Sequence, residues 1–268
     1  HREVTWSELR ESAGRMAAAL AAVGVGPGDR VAAWLPNSLE TIVTMLGTTW
    51  VGATFSSTSP DFGVDGVVDR FGQIEPRVLV AADGYHYGGK AHDCLERLDA
   101  VIAGLPSLEQ VVVVPRLDPA GDPPPGTVAW SAFLSSVDAP LAGFERFGTD
   151  QPWFVLYSSG TTGMPKCIVH RSGGILVKLL VEHQLQGDLR PGDRVVYSTT
   201  AGWMMWNWLV SGLAGGETVV LYDGSPFHPG PEALFDLAQD TGVSLLGVSA
   251  KFIDAVGNAG IRPVDTHD

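Results

Sequence analysis

Four hydroxyl side chains, two glycines and a lysine stand within nine consecutive residues, Ser158-Ser159-Gly160-Thr161-Thr162-Gly163-Met164-Pro165-Lys166, directly after the apolar run Trp153 to Leu156. Glycines let backbone N–H groups turn toward an anion with no Cβ in the way, hydroxyls add donors, and a lysine supplies a compact positive charge. The loop therefore reads as a cradle for a polyphosphate, with Ser158, Ser159, Gly160, Thr161, Thr162, Gly163 and Lys166 on the phosphates. The competing reading is an ordinary Gly/Ser/Thr surface turn carrying a solvated lysine. A Walker A loop is disfavoured, because that motif places Gly-Lys-Ser/Thr at its end, whereas Lys166 follows Pro165 and precedes Cys167.

Composition bounds what this loop can serve. The chain has 268 residues, 45% of them hydrophobic, enough for a large core in one domain or two subdomains. A formal net charge of −13 disfavours nucleic acid and anionic membrane as partners, so any anion must be held by local donors. Cys94 and Cys167 are far apart with no CxxC spacing, which implies neither a disulfide framework nor a zinc site. His86, His92 and Cys94 match no common metal-ligand spacing, so no metal ligands are assigned. No sequon or signal peptide is visible, and a cytoplasmic setting fits best. Two uncharged runs, Thr41 to Pro60 and Val195 to Gly216, are long enough to span a bilayer but are broken by Ser, Thr, Gly and turn signals. They read as buried strand and helix pairs, and no membrane span is expected.

Along the chain, helices and short apolar strands alternate. Thr5 and Glu8 form a capping box for a helix that runs to Val23 and ends at Gly24. Strands are expected at Arg30 to Leu35, Ala53 to Ser56, Arg77 to Ala81 and Gln110 to Val114. Helices are expected from Ser38, from Ser59-Pro60-Asp61 through Phe71, and from Asp93 to Ala103. Pro115 to Asp150, with Pro123-Pro124-Pro125, reads as a surface excursion holding one short helix at Val128 to Leu134. The second half places strands at Trp153 to Tyr157, Cys167 to His170, Arg194 to Ser198, Thr218 to Tyr222 and Val243 to Val248. Its helices are expected at Gly173 to Gln186, Trp203 to Leu213, Pro231 to Gln239 and Ala250 to Asn258. The alternation predicts an α/β fold of largely parallel sheets layered with helices, in two subdomains of about 1–115 and 151–260 joined by 116–150.

The string Tyr157 to Lys166 resembles the phosphate-binding signature of the acyl-adenylate-forming, or acyl-CoA synthetase, superfamily, with Cys167 standing where most members have Gly or Ala. Further stretches are similar to acetyl-CoA synthetase-type enzymes, and most closely to the acetoacetyl-CoA synthetase group. They are Trp34 to Glu40, Gly52 to Gly63, Asp69 to Pro76, Gly202 to Trp208, and Ser249 to Ile253. The resemblance runs from about Thr5 to Ala259. It implies the N-terminal domain of a two-step ligase that uses ATP, Mg2+ and coenzyme A. Acetoacetate and ATP give acetoacetyl-AMP and pyrophosphate, and coenzyme A then displaces AMP.

The same resemblance implies that Lys166, Thr161 and Thr162 are catalytic, acting on the charge that develops during reaction, and it implies roles for further residues. Trp203, Met204 and Met205 would wall a small acyl pocket, with Trp206 and Asn207 behind them. On composition alone this stretch reads as helix core, and Asn207 either bonds a keto oxygen or simply caps or buries itself. Phe62, Gly63, Lys90, Ser249 and Ala250 would line the path of coenzyme A. Tyr87 stands where acetyl-CoA synthetases have a phosphate-contacting arginine. Cys167, next to Lys166 and a Gly-rich loop, is placed where a thiol pKa can be lowered, yet reads as a small strand residue and not a nucleophile.

Three alternatives stay open: a hydrolytic NTPase, which lacks Walker-type ligands here, an acyl-CoA synthetase for another short-chain acid, and a catalytically incomplete nucleotide-binding module. The last is expected of the chain alone. It begins at His1 before a helix and stops at Asp268 one helix after a strand, and the family's later AMP- and magnesium-binding motif, ribose-binding aspartate and small C-terminal domain find no match in it. Losing groups that act at the transition state costs orders of magnitude in rate.

Overall fold

The computed structural model describes residues 2–158 and 163–267. They form two compact units, one from His1–Tyr85 and Asp93–Ile175, the other from His86–His92 and Leu176–Asp268.

The first unit is built on a seven-stranded sheet. Helix α1 (Trp6–Ala22) opens it, and the expected capping box is present: the Glu8 N–H donates to Thr5 Oγ1 at 3.3 Å and the Thr5 N–H to the Glu8 carboxylate at 2.7 Å. Then follow β1 (Arg30–Trp34), α2 (Leu39–Trp50), β2 (Thr54–Thr58), α3 (Val64–Phe71), β3 (Val78–Ala82), the strands β4 (Gly84–Tyr87) and β5 (Lys90–Asp93), of which His86–His92 count with the second unit, α4 (Leu95–Gly104) and β6 (Gln110–Val114). The short β7 (Val128–Ala129) and α5 (Trp130–Ser135) precede β8 (Pro152–Ser158), β9 (Lys166–Arg171) and α6 (Ser172–Val181), which counts with the second unit from Leu176. The sheet order is β7-β6-β3-β1-β2-β8-β9, parallel throughout except for the β8–β9 pair.

Parallel strands need cover on both faces, and here alternation no longer separates polar from apolar. Ala32, Trp34, Leu79, Ala81, Val111 and Val113 pack on one side against Val67 and Phe71 of α3 and Leu98 and Val101 of α4. Their neighbours Val31, Ala33, Val78, Val80 and Val112 are buried as well.

The division of the chain differs from the expected one. Residues 116–150 do not form a divider between subdomains; they belong to the first unit, where β7 extends the sheet beside β6. The segment is fastened there by Trp50, whose Nε1 donates to the Gly143 carbonyl at 2.7 Å and whose ring stacks on Phe144 at 4.0 Å. The strand that leads into the Ser158 to Lys166 stretch also belongs to this unit, because β8 pairs with β2.

Two local differences have clear causes. Helix α3 starts at Val64 and not at Ser59, because Ser59 to Phe62 turns on itself through a Phe62 N–H to Ser59 carbonyl bond of 3.2 Å. The hairpin β4–β5, with Gly88-Gly89 at its tip, was hidden in a short polar stretch without strand-like alternation.

In the second unit a π-helical turn at Glu182–Gln186 follows α6, then β10 (Arg194–Tyr197), α7 (Met204–Gly215), β11 (Thr218–Val220), α8 (Ala233–Thr241), β12 (Leu245–Gly247) and α9 (Ala250–Asn258). Its parallel sheet runs β11-β10-β12. The two uncharged runs became α2 with β2, and β10 with α7, and among the described residues no helix is long and apolar enough to cross a membrane.

Candidate functional site

Strands β2 and β8 run side by side in the same direction, so the chain leaving each one emerges at the same carboxyl edge of the sheet. That edge is where open α/β sheets bind ligands. From β2 comes the turn Ser59 to Gly63, and from β8 comes the loop that leads to Lys166.

Both feet of that loop are fixed. Ser158 and Lys166 are paired across β8 and β9, followed by Tyr157 with Cys167 and Leu156 with Ile168. Ser159, Gly160, Thr161 and Thr162 lie outside the described residues. Gly163 has φ +107°, and a Cβ there would meet nothing within 4 Å, so the glycine serves its backbone conformation and leaves open space beside it. Lys166 is exposed where the loop ends.

On the outgoing foot, the Tyr157 hydroxyl lies 3.0 Å from Ser56 Oγ, which donates to the Val155 carbonyl at 2.9 Å. Burial pushes the Tyr157 phenol well above its ordinary range, so it stays a neutral hydrogen-bonding group. On the returning foot, Gln73 Nε2 donates to the carbonyls of Pro165 at 2.9 Å and Asp69 at 2.6 Å. The Cys167 thiol donates to Gln73 Oε1 at 3.5 Å. Its pKa is raised by burial, the opposite of the lowering that its position next to Lys166 permitted, and this agrees with a strand residue that is not a nucleophile.

In the second unit, Trp203 is the N-cap residue of α7 and is 66% exposed; Met204 is exposed too and Met205 half-buried. Trp206 and Asn207 are buried, so they support the helix from within. The Asn207 Oδ1 atom is buried without a hydrogen-bond partner among the described residues.

Beneath the same helix sits an ionisable pair that the sequence did not announce. His183, fully buried, has Nδ1 2.8 Å from Glu217 Oε2 and Nε2 2.9 Å from the Trp208 carbonyl, with its ring stacked on the Trp208 ring at 4.1 Å. A Cβ on Gly212 would lie 2.3 Å from Glu217 Oε2, so only glycine lets the carboxyl group come this close to α7. Burial pushes the Glu217 carboxyl up, partly opposed by His183.

The remaining residues expected for coenzyme A fall in both units. Phe62 and Gly63 lie in the β2 turn of the first, and Lys90, Ser249 and Ala250 are exposed positions of the second. Ser249 is committed locally, since its Oγ caps α9 by accepting the Phe252 N–H at 3.2 Å. Arg70 and Arg97, which hold the β2 turn, and Gln73, which holds Pro165, had no assigned role in the sequence, although Arg70 and Gln73 lie in one of the stretches that carry the resemblance. Among the described residues no three His, Cys, Asp or Glu side chains converge as a metal cluster.

Residues 1–266 match the family model described as AMP-binding enzyme. The acetoacetyl-coenzyme A synthetase of Rhizobium meliloti (strain 1021) is 49% identical over 268 residues, covering 99% of this chain and 41% of that protein. The acetoacetyl-CoA synthetase of Mus musculus is 45% identical over 273 residues, with the same two coverages of 99% and 41%. Among solved structures, acetoacetyl-CoA synthetase from Streptomyces lividans superposes with a TM-score of 0.94 at 46% identity, covering 100% of this chain and 41% of that one. The chain thus spans about 41% of the length of these relatives.

Proposed function

This chain belongs to the AMP-binding enzyme family, and on that premise we propose that it is a portion of an AMP-forming acid–CoA ligase acting on acetoacetate. The observation that supports this reading most strongly is the backbone agreement with the Streptomyces lividans enzyme along the whole chain at 46% identity. In the proposed reaction a carboxylate oxygen of acetoacetate attacks the α-phosphorus of ATP and pyrophosphate leaves. The coenzyme A sulfur then attacks the acyl carbon of acetoacetyl-AMP and AMP leaves.

The first step sets an anion against a polyanion, so positioning and charge neutralisation carry it. Ser158, Ser159, Gly160, Thr161, Thr162 and Gly163 supply hydroxyl and backbone donors to the phosphates, and Lys166 supplies positive charge. The pairing of Ser158 with Lys166 at the base of the loop and the Gln73 bond to Pro165 hold both feet in place. Magnesium would offset phosphate charge; the described residues offer it no ligand cluster, and no protein ligand is assigned. Trp203, Met204 and Met205 wall the acyl group, with Trp206 and Asn207 supporting them. Phe62, Gly63, Lys90, Ser249 and Ala250 line the coenzyme A path.

The test is product identity. A protein carrying this chain at the length of its relatives, given ATP, acetoacetate and coenzyme A, is expected to release AMP and pyrophosphate with one acetoacetyl-CoA per AMP. Release of ADP and phosphate, or AMP without thioester, would contradict the reading.

A further inference from the structure

The turn from Ser59 to Gly63 has little that holds it from within. Besides the Phe62 N–H to Ser59 carbonyl bond, the start of α3 is uncapped: Gly63 is its N-cap residue and no side chain bonds there. Two arginines do the holding. Arg97, on α4, donates from Nη1 to the Phe62 carbonyl at 3.3 Å and from Nη2 to the Pro60 carbonyl at 3.2 Å, with its guanidinium 5.4 Å from the Trp34 ring centroid. Arg70, on α3, lies over the Phe62 ring at 4.4 Å, donates to the Gly66 carbonyl at 2.7 Å, and comes within 6.0 Å of the Tyr157 ring. Neither guanidinium has a carboxylate in salt-bridge range among the described residues. Arg70 is given over to a backbone carbonyl and aromatic faces, and Arg97 to backbone carbonyls, the Cys94 sulfur at 3.5 Å and an aromatic face.

Gly63 completes the pattern. Its φ of −67° suits any residue, and a Cβ there would meet nothing within 4 Å. Neither backbone conformation nor packing requires glycine at this position. What it provides is an unobstructed approach to the first amides of α3, which have no intrahelical acceptor.

We propose that Arg70 and Arg97 are positioning residues that hold the Ser59 to Gly63 turn in shape for coenzyme A, and so govern coenzyme A affinity without acting in adenylation. This rests on the reading of Phe62 and Gly63 as coenzyme A residues. A planar guanidinium spans two carbonyls of one turn, which an ammonium on a flexible stem does not reproduce. Rigid loops bind more tightly because the ordering cost has been met before binding. Arg97 touches the turn only through its two carbonyls, so its loss frees the backbone, whereas loss of Arg70 frees the Phe62 ring.

The experiment separates the two half-reactions in a protein carrying this chain at the length of its relatives. Acetoacetate-dependent ATP–pyrophosphate exchange needs no coenzyme A and serves as the folding check; thioester formation gives the KM for coenzyme A. Arg97→Ala and Arg70→Met are expected to raise that KM about tenfold, as loss of one or two hydrogen bonds or a stacked cation does, with exchange within about twofold of the parent. Arg97→Lys is expected to fall between, and guards against a poorly folded alanine variant. Gly63→Val tests the underlying reading, since it obstructs the approach directly. If Gly63→Val raises the KM and the arginine variants leave it unchanged, the positioning role is overturned. If exchange and thioester formation fall together in the arginine variants, they serve the fold at large and the proposal is again overturned. An unchanged KM in Gly63→Val removes coenzyme A from this turn altogether, and the proposal with it.

Discussion

Gln73, two residues beyond α3, donates from Nε2 to the carbonyl of Pro165, one residue before Lys166, at 2.9 Å. The bond ties the returning foot of the phosphate loop to the helix that begins at the Phe62 turn. Because the same amide nitrogen also donates to the Asp69 carbonyl at 2.6 Å, Gln73→Glu would place a carboxylate against two carbonyl oxygens. That variant is expected to weaken ATP binding about tenfold, consistent with roughly 1–2 kcal/mol for a donor replaced by a repelled acceptor. Calorimetry with ATP checks it, and unchanged affinity would show that the foot needs no anchor.

Lys166→Ala is expected to weaken ATP tenfold or more, in line with about 1.5–3 kcal/mol for a charge-assisted hydrogen bond, while AMP affinity changes little because AMP lacks the outer phosphates. Equal losses for the two nucleotides would remove Lys166 from the β- and γ-phosphates. Gly163→Val is expected to be harsher, since a β-branched residue cannot adopt φ +107° cheaply.

Much of this architecture was legible because the physical signals were local. The Thr5/Glu8 capping box, the strand expected at Arg77 to Ala81 and found at Val78–Ala82, the apolar run Gln110–Val114, and the α9 start at Ala250 were each carried by neighbouring residues. What was not legible depends on residues distant in sequence. Gln73 meets Pro165 across 92 positions, and Arg97 meets the Phe62 carbonyl across 35. His183 meets Glu217 across 34 positions, and neither residue stands in a motif. The division into units was misplaced for a related reason: a proline-rich stretch looks like a linker, yet Trp50 and β6 bind residues 116–150 to the first unit.

Trp203→Gly is expected to broaden the range of acids accepted and to lower activity on acetoacetate, since removing a wall enlarges the pocket. Because Trp203 is 66% exposed, the change is expected to leave thermal stability nearly unaltered, so that a lost preference is not confused with lost folding. An unchanged acid preference would remove the start of α7 from the acyl site.

Glu217→Gln tests the buried pair through pH. Burial raises the native carboxyl above its ordinary value of 4.5, so the native state binds more protons than the unfolded state in the window above that value. Stability contributed by the protonated form is present below about 4.5 and is lost as pH rises through the native pKa. The unfolding free energy of wild type minus that of Glu217→Gln is therefore expected to fall as pH rises from 4.5, measured by urea titration across a pH series. A difference that rises with pH would mean that the carboxylate is held charged by His183 and that burial is not the dominant influence.

The central claim, an acetoacetate-activating, AMP-forming ligase, is tested most directly by ATP–pyrophosphate exchange without coenzyme A, in a protein carrying this chain at the length of its relatives. The account predicts exchange of labelled pyrophosphate into ATP that depends on acetoacetate, is weaker with acetate or butyrate, and is lost in Lys166→Ala. Exchange at the same rate without any acid, or none with acetoacetate while ATP still binds, would contradict it.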